Sequence, residues 1–279
     1  MISVTKIFLT FIFISLVAVT SFAQDSFEEQ FNFAKKLYEQ ENYFDAVTEF
    51  KRLLFFDESN NYSFECNYLM GLSYKYGGKF SDALLHFSIA DMQARTKEEK
   101  FDCGIEIIKI NILRRTTYKA LALIDSLVNN PKYKNKLDEI NYWRGWAYIF
   151  SDEWEKAATT YSEIQEHQLA VLCDSINNDL YNPELAKYLS VLPGAGQFYT
   201  REYVSGLISI GWNVLWGYLT INAFVEDRVL EGVLIGSLLW WRFYSGNIQN
   251  AEKFAIEKNL ELTNSALRYL QDKYNGRKP

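Results

Sequence analysis

The residues in this sequence that could carry out chemistry are few and widely spaced. Cys66, Cys103 and Cys173 form no C-x-x-C pair, and His86 and His167 are the two histidines of the chain. Because a structural zinc site needs closely spaced ligands, we expect neither a metal nor a cofactor, and we predict that the cysteines are buried small hydrophobic residues. The chain has no H-E-x-x-H, G-x-S-x-G or glycine-rich phosphate loop, so we do not expect an enzyme.

A second candidate for chemistry is the segment P-G-A-G-Q-F-Y, whose Pro193, Gly194, Gly196, Gln197 and Tyr199 interrupt an apolar stretch. Proline removes a backbone donor and glycine allows positive φ, so we expect a helix to break here. We expect a turn at a membrane surface. The alternative is a re-entrant elbow whose exposed backbone binds a ligand, since irregular backbone at membrane depth must be buried in protein or wetted.

Two apolar segments that follow could position this elbow in a membrane. Residues 203–225 carry no charge, and 23 helical residues are long enough to cross a hydrocarbon core of about 30 Å. Residues 229–244 predict a shorter or tilted second span in which Arg242 snorkels. Gly232 and Gly236 form a G-x-x-x-G, a spacing that favours close association with another membrane helix.

The elbow and its flanks resemble a known family. The signature has two parts: P-G-x-G-Q-x-Y before a glycine-bearing membrane helix, and Tyr244-Ser-Gly-Asn247 with Ala251 and Asn259 beyond that helix. It resembles the signature of an uncharacterised family of small bacterial membrane domains. The likeness covers about residues 183–260. It implies a small helical membrane domain, often placed after exported tetratricopeptide repeats, and it implies no activity.

An internal repeat organises the first half of the chain. Ala46, Ala83, Ala120 and Ala157 lie 37 residues apart. Apolar residues follow each alanine by four positions, and small or apolar residues precede it by twelve: Phe50, Phe87, Ile124 and Tyr161; Ala34, Gly71, Ile108 and Gly145. Over about residues 27–168 this pattern resembles the tetratricopeptide repeat, in which helices A and B cross at a small residue. The third unit departs from it, with Ile108 and Asn111 in place of Gly and Tyr.

The resemblance implies a binding surface, because helix A lines the concave groove of such arrays. We predict a partner-binding groove at matching positions of the second and fourth units: Tyr68, Leu72, Tyr76, Tyr142, Trp146 and Phe150. Lys75 and Lys109 fall on the same face. Acidic residues 37 apart begin each helix A: Glu28, Glu65, Asp102 and Glu139. They either complement the helix macrodipole or form an acidic rim for a basic partner.

The two ends of the chain complete the predicted organisation. Residues 1–23 resemble a signal peptide, with Lys6, an apolar run over 7–19 and a small-x-small site at Ser21-Phe-Ala23; an uncleaved anchor is the alternative. We expect four repeats over 24–168, a capping helix and linker over 169–182, a membrane domain over 183–246, and an amphipathic helix and tail over 247–279. The formal net charge of −6 argues against nucleic acid as a partner.

The sequence therefore predicts an all-α protein, with a right-handed superhelical array of four repeats and a small helical membrane domain. We expect an exported scaffold of the bacterial cell envelope that contacts lipid and binds a protein or peptide in its groove, during envelope assembly or secretion. The alternative is a membrane module that binds or moves a lipid or small solute. If the array is exported and the chain spans the membrane twice, the loop 226–228 lies in the cytoplasm. The distribution of basic residues favours the opposite orientation. A partial third crossing at 186–199 would remove that conflict.

Overall fold

The computed structural model describes residues 27–279, and the predicted signal peptide at 1–23 lies outside the described residues. Over the described part of the chain every regular element is helical and no strand occurs, so the all-α prediction is confirmed. This part divides into two compact units, the first ending at Ala170 and the second covering Val171–Lys278. The division falls within helix α9 (His167–Asp179), which we had predicted to cap the array.

The first unit is a succession of helix pairs. Helices of type A are α1 (27–39), α3 (Ser63–Tyr76), α5 (Lys97–Leu113) and α7 (Leu137–Phe150). Helices of type B are α2 (Tyr43–Phe56), α4 (Phe80–Gln93), α6 (Thr117–Val128) and α8 (Trp154–Glu163). A short 3-10 helix, Pro131–Lys136, precedes α7. Each B helix begins 37 residues after the previous one, and each helix of the run from α2 to α8 packs against the next.

The turn between the A and B helices repeats at the level of the backbone. Its second residue has positive φ in every pair: Glu41, Gly78, Arg115 and Asp152. The next amide donates to a carbonyl five residues back, as Thr116 N does to Asn111 O at 2.9 Å. This is the Schellman arrangement, which satisfies carbonyls at the end of a helix. The third unit therefore has the same turn as the others although its side chains depart from the pattern.

The core of the first unit forms where the paired helices cross. A Cβ on Gly71 would lie 2.8 Å from the ring of Phe87, and one on Gly145 would overlap the ring of Tyr161. Both rings are fully buried, so these two glycines make room for the aromatic side chains that fill the crossings. In the third unit Ile108 is also fully buried, which shows that this crossing accommodates a larger side chain.

The three cysteines are buried, as predicted. Burial raises the pKa of Cys66, Cys103 and Cys173 to about 12. Because a thiol reacts as its thiolate, these side chains are inert packing groups at neutral pH.

The second unit has a different construction. Two short helices, α10 (Pro183–Leu189) and α11 (Ala195–Tyr199), precede the long apolar helix α12 (Tyr203–Val225). Then α13 (Val229–Leu234), a π-helical segment (Ile235–Trp240) and α14 (Trp241–Asp272) follow without an intervening turn. We expected an amphipathic helix to begin at residue 247, and in the structure α14 begins at Trp241 and runs continuously through that position.

Helix α12 buries its small and polar side chains and exposes its large apolar ones. Its buried residues recur every three or four positions along one face: Gly206, Ser209, Asn213, Gly217, Thr220 and Ala223. The opposite side exposes Leu207 by 64%, Val214 by 65% and Ile221 by 60%. Among the described residues, α12 is the one helix long and apolar enough to cross a membrane.

Candidate functional site

An ion-pair cluster lies on the A helices of the first unit. Lys75 on α3 contacts Glu106 on α5 at 3.0 Å, and Lys109, one turn further along α5, contacts the other carboxylate oxygen at 2.5 Å. The side chains of Lys75 and Glu106 are both more than nine-tenths buried. Burial lowers the pKa of Lys75, and the Glu106 carboxylate partly offsets that shift. The Lys109 ammonium also lies 4.5 Å from the ring centre of Trp143 on α7, so the cluster joins three successive A helices.

Tyrosine rings stand beside this cluster. Tyr43 stacks on Tyr76 with ring centres 5.6 Å apart, and Tyr38 lies 6.0 Å from Tyr43 and 6.4 Å from Tyr76. Burial, with smaller contributions from neighbouring tyrosines and Glu106, raises the pKa of Tyr38 to about 12, so its hydroxyl stays protonated. Tyr76 is 57% exposed and presents an aromatic face to solvent. We call these three rings with Lys75, Glu106 and Lys109 the tyrosine–lysine surface.

The structure divides the six predicted groove residues into an accessible and an inaccessible set. Tyr76 is exposed, whereas Tyr68 and Leu72 are half-buried against the core around Phe87. In the fourth unit Phe150 is half-buried, and Tyr142 and Trp146 are only 2% and 3% exposed. These two aromatics are therefore closed to a partner in this conformation, and the accessible part of the predicted groove lies at its N-terminal end.

Sequence reasoning missed Glu106, the residue that holds the cluster together. The sequence analysis assigned Lys75 and Lys109 to the groove face, but the helical spacing used for that assignment did not include Glu106. The spacing of Glu106 and Lys109, three residues apart on one helix, was the available signal. The pairing with Lys75, 31 residues earlier, follows only from the packing of α3 on α5.

The recurring acidic residues occupy different environments. Glu65 and Glu139 lie in the first turns of α3 and α7, where a carboxylate complements the helix macrodipole. Asp102 lies in the second turn of α5, and that helix is instead capped by Thr96 and Glu99 in a capping box. Burial raises the pKa of Asp102, opposed by nearby Lys136. The macrodipole explanation therefore covers Glu65 and Glu139 and does not cover Asp102.

The elbow of the second unit is built by close backbone contacts. Gly194 has φ of +87°, and a Cβ there would lie 2.6 Å from the carbonyl oxygen of Gly206 on α12. A Cβ on Gly196 would overlap Ser190 and the carbonyl of Ala186, and would lie 2.8 Å from Cβ of Ala251. Both glycines are thus required by packing, the first also by its left-handed backbone.

Hydrogen bonds connect the elbow to the C-terminal half of its signature. The buried amide of Gln197 donates to the carbonyl of Asn247 at 2.8 Å. The hydroxyl of Tyr244 donates to the carbonyl of Val191 at 3.0 Å. Asn259 exchanges two hydrogen bonds with the backbone of Tyr181, at 2.8 and 2.9 Å. The two distant segments that carried the resemblance are therefore one packed structure.

The G-x-x-x-G glycines pack within the chain. A Cβ on Gly232 would lie 3.0 Å from the ring of Phe224, and one on Gly236 would lie 3.0 Å from Thr220. Both neighbours belong to α12, so the close approach predicted for this spacing takes place between two helices of the same unit.

Two adjoining cavities lie beside α12 and share Trp240 and Tyr244. One, of about 520 Å³, is lined by apolar groups around Phe224 and Gly236. The other, of about 350 Å³, is lined by Pro193, Ile210, Asn213 and Val214 as well as the shared pair. The side-chain oxygen of Asn213 is itself buried and has no hydrogen-bond partner in the described chain.

The described residues contain no group of three His, Cys, Asp or Glu side chains that could hold a metal ion. In the comparisons with known proteins, no family model and no curated protein matches this chain.

Proposed function

We propose that this chain is an exported, membrane-anchored scaffold of the bacterial cell envelope, which binds a protein or peptide partner without catalysis. In this proposal the first unit is a superhelical array of tetratricopeptide-like repeats, and the second unit anchors it. The partner docks on the tyrosine–lysine surface, and envelope assembly or secretion is the process it serves.

The observation that carries the partner-binding proposal is the position of the ion-pair cluster. A buried ion pair contributes little net stability, because desolvation of the charges offsets their attraction. Lys75, Glu106 and Lys109 lie on A helices, where the repeat resemblance places the binding face, and exposed Tyr76 stands next to them. Exposed aromatic rings beside fixed charges are typical of contact surfaces.

The membrane anchor is supported by the distribution of side chains on α12. A soluble protein buries large apolar residues, whereas α12 exposes Leu207, Val214 and Ile221 and buries small ones. Small residues at helix contacts and large apolar residues facing outward are the arrangement that favours lipid. The antiparallel run 229–244 pairs with α12 as the proposed second span.

A crosslinking experiment tests the partner-binding proposal. A photoreactive phenylalanine derivative replaces Tyr76 in the full chain expressed in its host, and a matched chain carries it at Tyr118, which is 69% exposed on helix α6 of type B. We expect one discrete crosslinked product from the Tyr76 position and none from the Tyr118 position. Equal products from both positions, or none from Tyr76, would contradict docking on this face.

A second candidate function is favoured by the cavities of the second unit. Their apolar walls suit the acyl chain of a lipid or a small amphiphile, and Asn213 is a polar residue in the lining of the second cavity. A membrane module that binds such a molecule would leave the repeats as its docking domain. Co-purification of a defined lipid, lost on Asn213→Leu and retained on Tyr218→Phe, would support this alternative over the scaffold.

A further inference from the structure

We infer that the elbow between α10 and α11 is a re-entrant element that inserts into one membrane leaflet, with Val191 and Leu192 at its tip in contact with lipid chains. This inference rests on the membrane anchoring proposed above for α12. It departs from the surface turn that the sequence led us to expect.

The first observation is the depth of the elbow along α12. Gly194 packs against Gly206 and Ile210, and Pro193 lines a cavity with Asn213, the eleventh residue of this helix. At 1.5 Å per residue, these contacts lie about 5–15 Å beyond the start of α12. A turn at the membrane surface would instead pack near Tyr203.

The second observation is the character of the tip. Val191 is 59% exposed and Leu192 is 71% exposed, and Tyr188 on the preceding helix is 70% exposed. The elbow thus exposes apolar side chains, as the outward face of α12 does. Such an exposed apolar loop is costly in water and is stabilised in hydrocarbon.

The third observation is that the backbone of the tip is largely satisfied within the protein. The amides of Ser190, Val191 and Leu192 each donate to a carbonyl three or four residues back, and Pro193 has no amide proton. The carbonyl of Val191 accepts from the hydroxyl of Tyr244. Lipid chains offer no hydrogen-bond partners, so a non-helical segment at membrane depth must pair its backbone amides and carbonyls within the protein.

Charged residues near the elbow are compatible with this placement. Lys187, on the α10 side of the elbow, pairs with Glu252 at 3.0 Å. Arg242 is adjacent to Phe243, which stacks on Trp212 near the middle of α12. Its long side chain allows the guanidinium to reach toward the headgroups while the stem covers apolar surface.

Depth-dependent fluorescence quenching tests the inference on the full chain in phospholipid vesicles. The three native cysteines are replaced by alanine, and an environment-sensitive dye is attached to a single cysteine placed at Leu192, Val214 or Tyr203. Lipids spin-labelled at the headgroup or deep in the acyl chain serve as quenchers. We expect the deep label to quench Leu192, as it quenches Val214, which lies about 16 Å along α12 from Tyr203, and to quench Tyr203 weakly.

The possible outcomes distinguish a failure of the re-entrant elbow from a failure of the membrane anchoring on which it rests. If Val214 is quenched by the deep label but Leu192 matches Tyr203, the elbow is a surface turn and the inference is overturned while the anchor stands. If neither Val214 nor Leu192 is quenched, membrane anchoring itself fails. Weak quenching at Leu192 with energy transfer between labelled chains would show that a second copy covers the tip, which also overturns the inference.

Discussion

The two units of this protein differ in where they put their large apolar side chains. The first unit buries Phe50, Phe87 and Tyr161 completely at its helix crossings. Helix α12 of the second unit buries Ser209 and Asn213 and turns its large apolar residues outward. Both units are helical and both are rich in apolar residues. The difference shows that the apolar content of a helix does not by itself determine which of its faces is buried.

The largest effect is expected in the first unit, at an aromatic residue that was predicted to face a partner. Trp146→Ala should lower the free energy of unfolding by about 3–5 kcal/mol, because it opens a cavity where a large side chain is buried. Tyr76→Ala, at an exposed ring, should change it by less than about 0.5 kcal/mol. Thermal or urea unfolding followed by circular dichroism measures both. Equal stability of the two variants would show that the fourth unit is not packed as described.

A charged substitution on the exposed face of α12 tests directly whether this face differs from the exposed faces of the first unit. Val214→Asp should disfavour membrane insertion by about 3 kcal/mol, because an Asp at the centre of a spanning helix is costly. Leu85→Asp, at a residue 56% exposed on α4, should have almost no effect because that face is in water. Resistance of each variant to alkaline extraction from membranes measures the difference. A fully extractable Leu85→Asp chain, or an unaffected Val214→Asp chain, would break the comparison.

A third test concerns the polar interior of the second unit. Gln197→Leu removes the hydrogen bond that the Gln197 amide donates to the carbonyl of Asn247, so we expect a loss of about 0.5–1.5 kcal/mol. Asn222→Leu, which removes an exposed contact with Glu226, is the matched control and should be near neutral. Denaturant unfolding in detergent compares the two. If Gln197→Leu were the more stable protein, the elbow would not depend on this bond.

The last effect, which is small just above pH 9 and grows as the pH rises, is a dependence of stability on alkaline pH that belongs to the first unit. The pKa of the Cys66 thiol is raised from 9.0 to about 12 by burial, so above pH 9 the unfolded state loses a proton that the folded state keeps. Stability should therefore fall as pH rises from 9 toward 12, by about 1.4 kcal/mol per pH unit for this thiol. Cys66→Ala should make the slope shallower. An unchanged slope would show that Cys66 ionises equally in both states.

Much of the first unit could be predicted from the sequence because its repeat fixes which positions face inward. The alanines at 37-residue spacing and the glycines at Gly71 and Gly145 are buried where the pattern placed them. Even the third unit, where side chains at Ile108 and Asn111 depart from the pattern, keeps the helix starts and the turn. In that turn Arg115 has positive φ, and the amide of Thr116 donates a hydrogen bond to the carbonyl of Asn111, as at the equivalent positions of the other turns.

The candidate sites were less predictable, because they depend on contacts between distant segments. Both halves of the elbow signature were visible in the sequence, but nothing in their spacing shows that Gln197 reaches Asn247. The burial of Trp146 was not predictable for the same reason. Periodicity assigns a residue to one face of a helix, but it does not show which other segment covers that face. The start of the C-terminal helix was likewise placed by local pattern at residue 247, whereas α14 already begins at Trp241.

The continuity of α14 has a mechanical consequence. Its 32 residues form one rod about 48 Å long, with the elbow contacts near its beginning and Asp272 at its far end. If α14 moved as a rigid body, a rotation of about 10° about the elbow end would carry the other end through about 8 Å. If the elbow lies in lipid as we infer, a change in lipid packing around it would displace the far end of α14. The same lever, driven from its distal end, would apply torque to the elbow.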